Sequence, residues 1–186
     1  MSHPYEKLAL AGGATLIFTP CPGTKDTSVE AAVATLKVAG AQALITLMPD
    51  EELAKFAAQS LPGSCTDHGI PWFHLPVEDD HAPDERFATA FATQKQALLS
   101  MLDQQGIIAI HCRGGSGRTG FMAAILLLES GMERDEVVRQ VQGLRPHALK
   151  MPVHLDYLDQ TYFVKKRISP AIRSHARGPA SPALGP

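Results

Sequence analysis

Residues 106–130, GIIAIHCRGGSGRTGFMAAILLLES, constrain the fold more than any other stretch of the chain. GIIAI (106–110) is an apolar run without a polar face and reads as a fully buried strand. GFMAAILLLES is apolar all round, the signature of a helix covered on every side, and Gly131 stops it. Between them lie ten residues with four glycines, HCRGGSGRTG (111–120), so the chain must reverse there. A strand and a helix that both lack a solvent face need covering layers on each side. That requirement selects a layered α/β fold with this unit at its centre.

The rest of the chain fits around that unit. ATLIF (14–18), ALITLM (43–48) and PWFHLP (71–76) read as further strands, the last closed by Pro76. TSVEAAVATLKVAG opens with Thr27 and Glu30 in capping-box spacing, ends at Gly40, and places Val29, Val33 and Leu36 on one face. DEELAKFAAQ predicts a helix whose acidic start suits its dipole. VEDDHAPDERF is a loop entering a long helix, with Pro83 near its first turn and Phe87, Phe91, Leu98 and Leu102 along one side. ERDEVVRQVQGL is amphipathic through Val137, Val138, Val141 and Leu144, and a last helix is expected from about Pro152 to Arg167. Residues 1–168 are expected to form a single domain. The tail, 169–186, is rich in Pro, Gly and Ala and reads as flexible. Strands alternating with helices predict a mostly parallel central sheet flanked by helices, α/β in class. In such sheets sites form where loops leave the carboxyl ends of strands, and residues 111–120 hold that position.

Bulk properties narrow the function classes. The chain of 186 residues suffices for one sizeable core, and its net charge of −2 offers no footprint for nucleic acid. Lys and Arg number 6 before His111 against 13 acids, but 11 against 6 from His111 onward, so the half with the glycine loop suits an anionic substrate. Cys21, Cys65 and Cys112 show neither a disulfide framework nor metal-ligand spacing, which fits a reducing compartment and no metal. LALAGGATLIF lacks a basic leader because Glu6 offsets Lys7, and GFMAAILLL falls far short of the ~20 residues that span a bilayer. A cytoplasmic monomer that binds no membrane is expected.

The glycine loop could hold a phosphate or attack one. GSGRTG (115–120) matches the dinucleotide fingerprint, but that fingerprint needs a second strand carrying an acid about 20 residues on. RDEVVRQVQG is helical instead. A Walker loop fails for want of its lysine. Attack uses every residue. The amides of Arg113, Gly114, Gly115, Ser116, Gly117 and Arg118 can form a nest around phosphate oxygens, with the following helix aiming its positive end at the same point. Helix N-termini and cationic neighbours also favour a thiolate, here Cys112. Arg118 supplies a planar fork for two phosphoryl oxygens. Thr119 can give its hydroxyl to the departing sulfur, and His111 is suited to ordering the loop rather than to acting as a base.

HCRGGSGRTG is similar to the H-C-x-x-G-x-G-R-S/T signature of cysteine-based protein tyrosine and dual-specificity phosphatases. PVEDDHAPD (76–84) resembles the general-acid loop of the kinase-associated phosphatase (cyclin-dependent kinase inhibitor 3-like) branch, and TPCPGTKD (19–26) its N-terminal Pro-Gly segment. LRPHAL (144–149) resembles the Arg-Pro stretch of dual-specificity phosphatases. The resemblance implies a phosphocysteine mechanism without cofactor or metal, acting on a phosphorylated protein or peptide. Carried over by position, Cys112 is the nucleophile, Arg118 binds phosphate with the amides of residues 113 to 118, Thr119 assists thiolate departure and Asp79 is the general acid. Physics alone does not separate Asp79 from Asp80; the family register favours Asp79. Asp84, before ERF, is more simply a first-turn stabiliser. Lys150 and His154 stand where related enzymes carry glutamines, which leaves the placing of the hydrolytic water open. Phosphoinositide hydrolysis by the same chemistry is the nearest alternative, although Arg113 is the only non-catalytic cation in the loop. A rhodanese-like sulfurtransferase and a non-catalytic phosphate-binding module are further rivals.

Overall fold

A computed structural model describes residues 2–164. Its centre is the expected unit: strand β5 (Ile107–Cys112) runs directly into the loop and then into helix α5 (Gly117–Glu129). Around it lie β1 (Glu6–Ala9), β2 (Thr15–Pro20), α1 (Val29–Val38), β3 (Ala43–Thr46), α2 (Asp50–Lys55), α3 (Leu61–Asp67), β4 (Trp72–His74) and α4 (Glu85–Asp103) before it. After it come α6 (Arg134–Leu144), α7 (Pro152–Leu158) and a wide π-type turn, Asp159–Val164.

The sheet has five strands in the order β1-β2-β5-β3-β4. β2, β5, β3 and β4 are parallel, and β1 is an antiparallel edge. The buried strands carry apolar side chains on both faces, as a doubly covered sheet requires. Leu16, Phe18, Ile45, Ile108 and Ile110 pack against α4, α5, α6 and α7, through Phe87, Phe121, Val141 and Leu158 among others. Ile17, Leu44 and Ala109 face the other way, against Val33 and Leu36 of α1 and Leu61 and Cys65 of α3. Each fully buried side chain of this kind contributes roughly 1.5–3 kcal/mol. Ten consecutive residues of α5, Arg118 to Leu127, are buried. Gly120 is required there, because a Cβ would lie 2.5 Å from the Cβ of Ala148. That close approach seats the 145–149 turn beside the glycine loop.

Several expectations are corrected in detail. The cap of α1 is Ser28, whose hydroxyl accepts from the Ala31 amide, and the Thr27 hydroxyl is buried without a partner. Pro83 precedes the cap of α4 rather than entering its first turn; the cap is Asp84, which accepts from the Arg86 and Phe87 amides. The helix predicted over DEELAKFAAQ ends at Lys55, and Ala57 turns the chain with a φ of 53°. The helix predicted from Pro152 to Arg167 ends at Leu158 before the π-type turn; its last residues and the tail lie outside the described residues. Two elements were not expected. β1 is four residues, mostly exposed, held by its pairing with β2 across a turn where the Leu10 amide donates to Ala14 O. α3 forms although its first turn contains Pro62 and Gly63, because Leu61 and Cys65 bury against the sheet. Among the described residues no helix is long and apolar enough to cross a membrane.

Candidate active site

The site begins where the sheet stops being apolar. Thr19, His111, Thr46 and His74 stand in register across β2, β5, β3 and β4, one residue before the Pro20–Cys112 pair. The Trp72 indole donates to Thr46 Oγ1 at 2.8 Å, leaving the Thr46 hydroxyl hydrogen for His111 Nε2 at 2.7 Å. His111 is fully buried, and burial pushes its pKa down to about 3, so it is a neutral, fixed ring at working pH. Its bond to Thr46 ties the first residue of the loop to β3.

Cys112 ends β5 and is 4% exposed. Two donors converge on its sulfur, the Gly115 amide and the Thr119 hydroxyl, each at 3.3 Å. Gly115 has a φ of 75°, and a Cβ there would meet the Thr19 carbonyl at 2.6 Å, so only glycine lets the loop fold back over the sulfur. Ser116, the cap residue of α5, makes no side-chain capping bond. The first amides of α5 therefore lack a side-chain acceptor from their cap and suit an anion. Gly114 and Gly117 are exposed and Ser116 half-buried, so the loop's outer edge opens to solvent.

Arg118 is 2% exposed. Its Nη1 and Nη2 donate to the two carboxylate oxygens of Glu52 at 2.6 and 2.8 Å, and Nη1 also donates to Val77 O at 3.0 Å. Burial opposes the charge, but the Glu52 hydrogen bonds and the neighbouring Cys112 and Asp79 raise its pKa further, so it stays a cation. Glu52 is the functional residue that sequence reasoning missed. It lies in α2, 66 positions from Arg118, and DEELAK reads simply as an acidic helix start. One donor remains open, because Arg118 Nε is buried with no partner.

The acid loop closes over this group. Asp79 Oδ1 is 3.2 Å from Arg118 Nη2, and Oδ2 is 3.8 Å from Arg113 Nη2. Asp80, with a φ of 61°, makes no ion pair among the described residues. His154 Nε2 donates to His81 O at 3.0 Å while its ring stacks on Phe121, 4.4 Å between centroids. Burial lowers its pKa, so it anchors the loop as a neutral ring. Glu78 and Asp84 both pair with Arg86, and Asp84 is the first-turn stabiliser that was expected. A cleft of about 190 Å³ is lined by Asp79, Asp80, Cys112, Arg118, Met151 and His154, among others. Beside it a hollow of about 430 Å³ shares Asp79 and Arg113 and is walled by α2. Of the two residues replacing glutamines, His154 faces the cleft and Lys150 is an exposed side chain outside its lining. Cys21 and Cys65 are free, buried thiols whose pKa values burial pushes up to about 12. Among the described residues no cluster of His, Cys, Asp and Glu could hold a metal.

Known proteins resemble this chain in sequence and fold. The family model described as PTP-SAK, Swiss Army Knife protein, DSP-PTPase phosphatase domain, matches residues 22–159. Cyclin-dependent kinase inhibitor 3 of Rattus norvegicus is 31% identical over 101 residues, 50% of this chain and 42% of that protein. The phosphatidylinositol 3,4,5-trisphosphate 3-phosphatase and protein-tyrosine-phosphatase PTEN1 of Arabidopsis thaliana is 33% identical over 71 residues, 38% of this chain and 17% of that protein. The chain thus spans less than half the length of either relative. The crystal structure of kinase associated phosphatase with a serine in place of its catalytic cysteine superposes with a TM-score of 0.75 at 24% identity. It covers 86% of this chain and 94% of that one, which establishes the shared fold. With the family model matching most of its length around a buried cysteine loop, the chain belongs to the DSP-PTPase phosphatase domains of the Swiss Army Knife type.

Proposed function

We propose that this chain hydrolyses phosphate monoesters on proteins, phosphotyrosine and also phosphoserine or phosphothreonine, through a phosphocysteine intermediate. The observation that carries the reading is the convergence on one sulfur of the Gly115 amide and the Thr119 hydroxyl, beside a buried Arg118 fork. Substrate phosphate takes the open Nε–H of Arg118 and displaces Asp79 from Nη2, so that two parallel donors hold two oxygens. The Cys112 thiolate attacks phosphorus, the ester P–O bond breaks, and protonated Asp79 gives its proton to the departing oxygen. Water then attacks the phosphocysteine while Asp79 takes a proton from it. The P–S bond breaks, and Thr119 donates to the sulfur as it leaves with the electron pair. Asp79 is favoured over Asp80 because it alone of the two already contacts the fork.

The phosphoinositide reading draws on the relative named as a phosphatidylinositol 3-phosphatase. The cleft speaks against it. Its lining includes two carboxylates, Asp79 and Asp80, and one non-catalytic cation, Arg113, which is itself drawn to Asp79. A polyphosphorylated headgroup brings more negative charge to these acids than a single phosphate on a peptide, with only Arg113 to offset it. A panel of phosphopeptides and phosphoinositides, assayed with wild type beside Cys112→Ser, tests this. Cys112-dependent release from phosphopeptides is expected. Faster release from inositol phospholipids would reverse the ranking, and thiosulfate turnover without phosphatase activity would replace it with sulfurtransfer. We place the enzyme in a reducing, cytoplasmic setting, supported by its three free cysteines.

A further inference from the structure

We infer that the segment before β2 is part of the catalytic machinery: His3 and Glu6 brace Gly115 by two separate routes. The inference rests on the phosphatase reading of Cys112, and it concerns residues that precede the 22–159 span matched by the family model.

The first route runs through β2. His3 is 1% exposed, with Nε2 2.7 Å from Thr19 Oγ1. Two carbonyls, Pro4 O at 2.9 Å and Pro20 O at 3.2 Å, are within reach of the Thr19 hydroxyl hydrogen, which frees Thr19 Oγ1 to accept from His3 Nε2. Burial keeps the His3 ring neutral. The Thr19–Pro20 peptide held this way is the surface on which Gly115 rests: a Cβ at Gly115 would stand 2.6 Å from Thr19 C and O and 2.7 Å from Pro20 N. One residue on, the Cys21 amide donates to Arg113 O at 3.2 Å, fixing the loop's near limb to the same strand end.

The second route runs through the 145–149 turn. Glu6 Oε2, on β1, lies 2.5 Å from Arg145 Nη1, and Arg145 Nε donates to Gly115 O at 3.2 Å. The two routes thus hold opposite sides of one glycine, His3 from beneath and Glu6 through its carbonyl. The amide of that glycine is one of the two donors on the Cys112 sulfur. Tilting its peptides moves that donor off the sulfur and disturbs the nest that receives phosphate oxygens. His3 and Glu6 touch neither sulfur nor phosphate, so they are positioning residues. Glu6 is 53% exposed and Arg145 17%, so the thermal midpoint is read beside the rate to separate positioning from stability.

The test uses the full chain as wild type, His3→Phe, His3→Gln, Glu6→Gln and the double variant His3→Phe/Glu6→Gln. Phe fills the space without a donor, and Gln restores an N–H. Turnover of an aryl phosphate, vanadate affinity and the thermal midpoint are measured on each. A small misplacement of a reacting group costs up to about 10²-fold, so His3→Phe and Glu6→Gln should each lose about tenfold in kcat. KM should hardly change, His3→Gln should recover most of the rate, and vanadate should bind more weakly to the impaired variants. The double variant should lose less than the product of the two, because both act on one glycine. Rates within twofold of wild type for Glu6→Gln and His3→Phe would overturn the brace. So would losses that multiply and follow the thermal midpoint, with Gln no better than Phe. Should His3→Phe fail to fold, Glu6→Gln decides alone, its rate read against its own thermal midpoint. A wild type without Cys112-dependent turnover would strike instead at the phosphatase reading, and vanadate affinity would still report on the brace.

Discussion

The phosphate loop and the acid loop meet at Arg118, yet they are held by different forces. From Cys112 to Arg118 the loop's anchors are buried: the sulfur, Gly115 and the guanidinium stem are enclosed, and their partners are backbone groups or a carboxylate fixed in a helix. From Glu78 to Asp84 the acid loop is mostly exposed, and ion pairs and a few hydrogen bonds hold it, to Arg86, Arg113, Arg118 and the His154 ring. The pairs to Arg86 and Arg113, exposed on both sides, contribute only about 0–1 kcal/mol each. A nucleophile and its oxyanion nest must be in place before substrate arrives, so their order is built into the core. In the mechanism we propose, Asp79 leaves Arg118 when phosphate comes, and a weak, exchangeable attachment suits that. Rigidity sits under the sulfur and compliance sits over it.

The largest effect should come from the rigid side. Cys112→Ser should reduce turnover by about 10⁶-fold, the size of loss seen when a catalytic nucleophile is removed, with phosphate binding largely kept. A serine variant with substantial turnover would detach the chemistry from the phosphate loop altogether.

Next comes the compliant side. General acid catalysis is worth about 10²–10⁴-fold, and Asp79→Asn should lose that much on phosphotyrosine or an alkyl phosphate. On an aryl phosphate with a stable leaving anion the loss should be far smaller, and the alkaline limb of the pH–rate profile should flatten. Asp80→Asn should do neither. Equal losses on both substrates, or a selective loss at Asp80, would move the proton donor elsewhere in the loop.

Arg118 joins the two regions and separates fork from charge. Arg118→Lys keeps the charge and loses the paired donors, and removing one preorganised donor typically costs about 10²–10³-fold in kcat. Glu52→Gln can keep one of the two hydrogen bonds to Arg118 and should lose about tenfold, a fraction of that range. Lysine serving within a few-fold of arginine would show that charge alone suffices.

The smallest effect concerns stability and distinguishes the buried base of the phosphate loop from the exposed acid loop. The folded pKa of His111, about 3, lies well below its ordinary value of 6.5. Between those values the unfolded chain binds a proton that the folded chain excludes, so stability falls as pH drops below about 6.5 and towards 3. His3 and His154, also depressed by burial, act in the same direction. The thermal midpoint should therefore be level above pH 7 and decline in acid, with a shallower decline in His111→Gln. An unchanged slope would place the acid sensitivity outside the polar row beneath the loop.

Much of the fold was legible because its signals are local. GIIAI and GFMAAILLL have no polar face, and their lengths suit a central strand and a central helix. Between them, Cys112, Arg118 and Thr119 fall within eight residues, so their convergence needs no more than one turn of chain. The sequence by itself therefore determined a parallel α/β core, a cysteine loop at a strand's carboxyl end, and the identity of the groups inside it. Tertiary structure decided what lies far off in the chain. β1 is too short and exposed to carry a period and forms because β2 is there to pair with it. α3 forms against its own proline and glycine because burial of Leu61 and Cys65 outweighs propensity. Glu52 on the fork, Asp79 rather than Asp80 beside it, and His3 and Glu6 behind Gly115 depend on contacts across 16 to 139 residues. Such contacts exist only once the core has set the distances, since a hydrogen bond between polar residues far apart in the chain leaves no pattern in the order of amino acids.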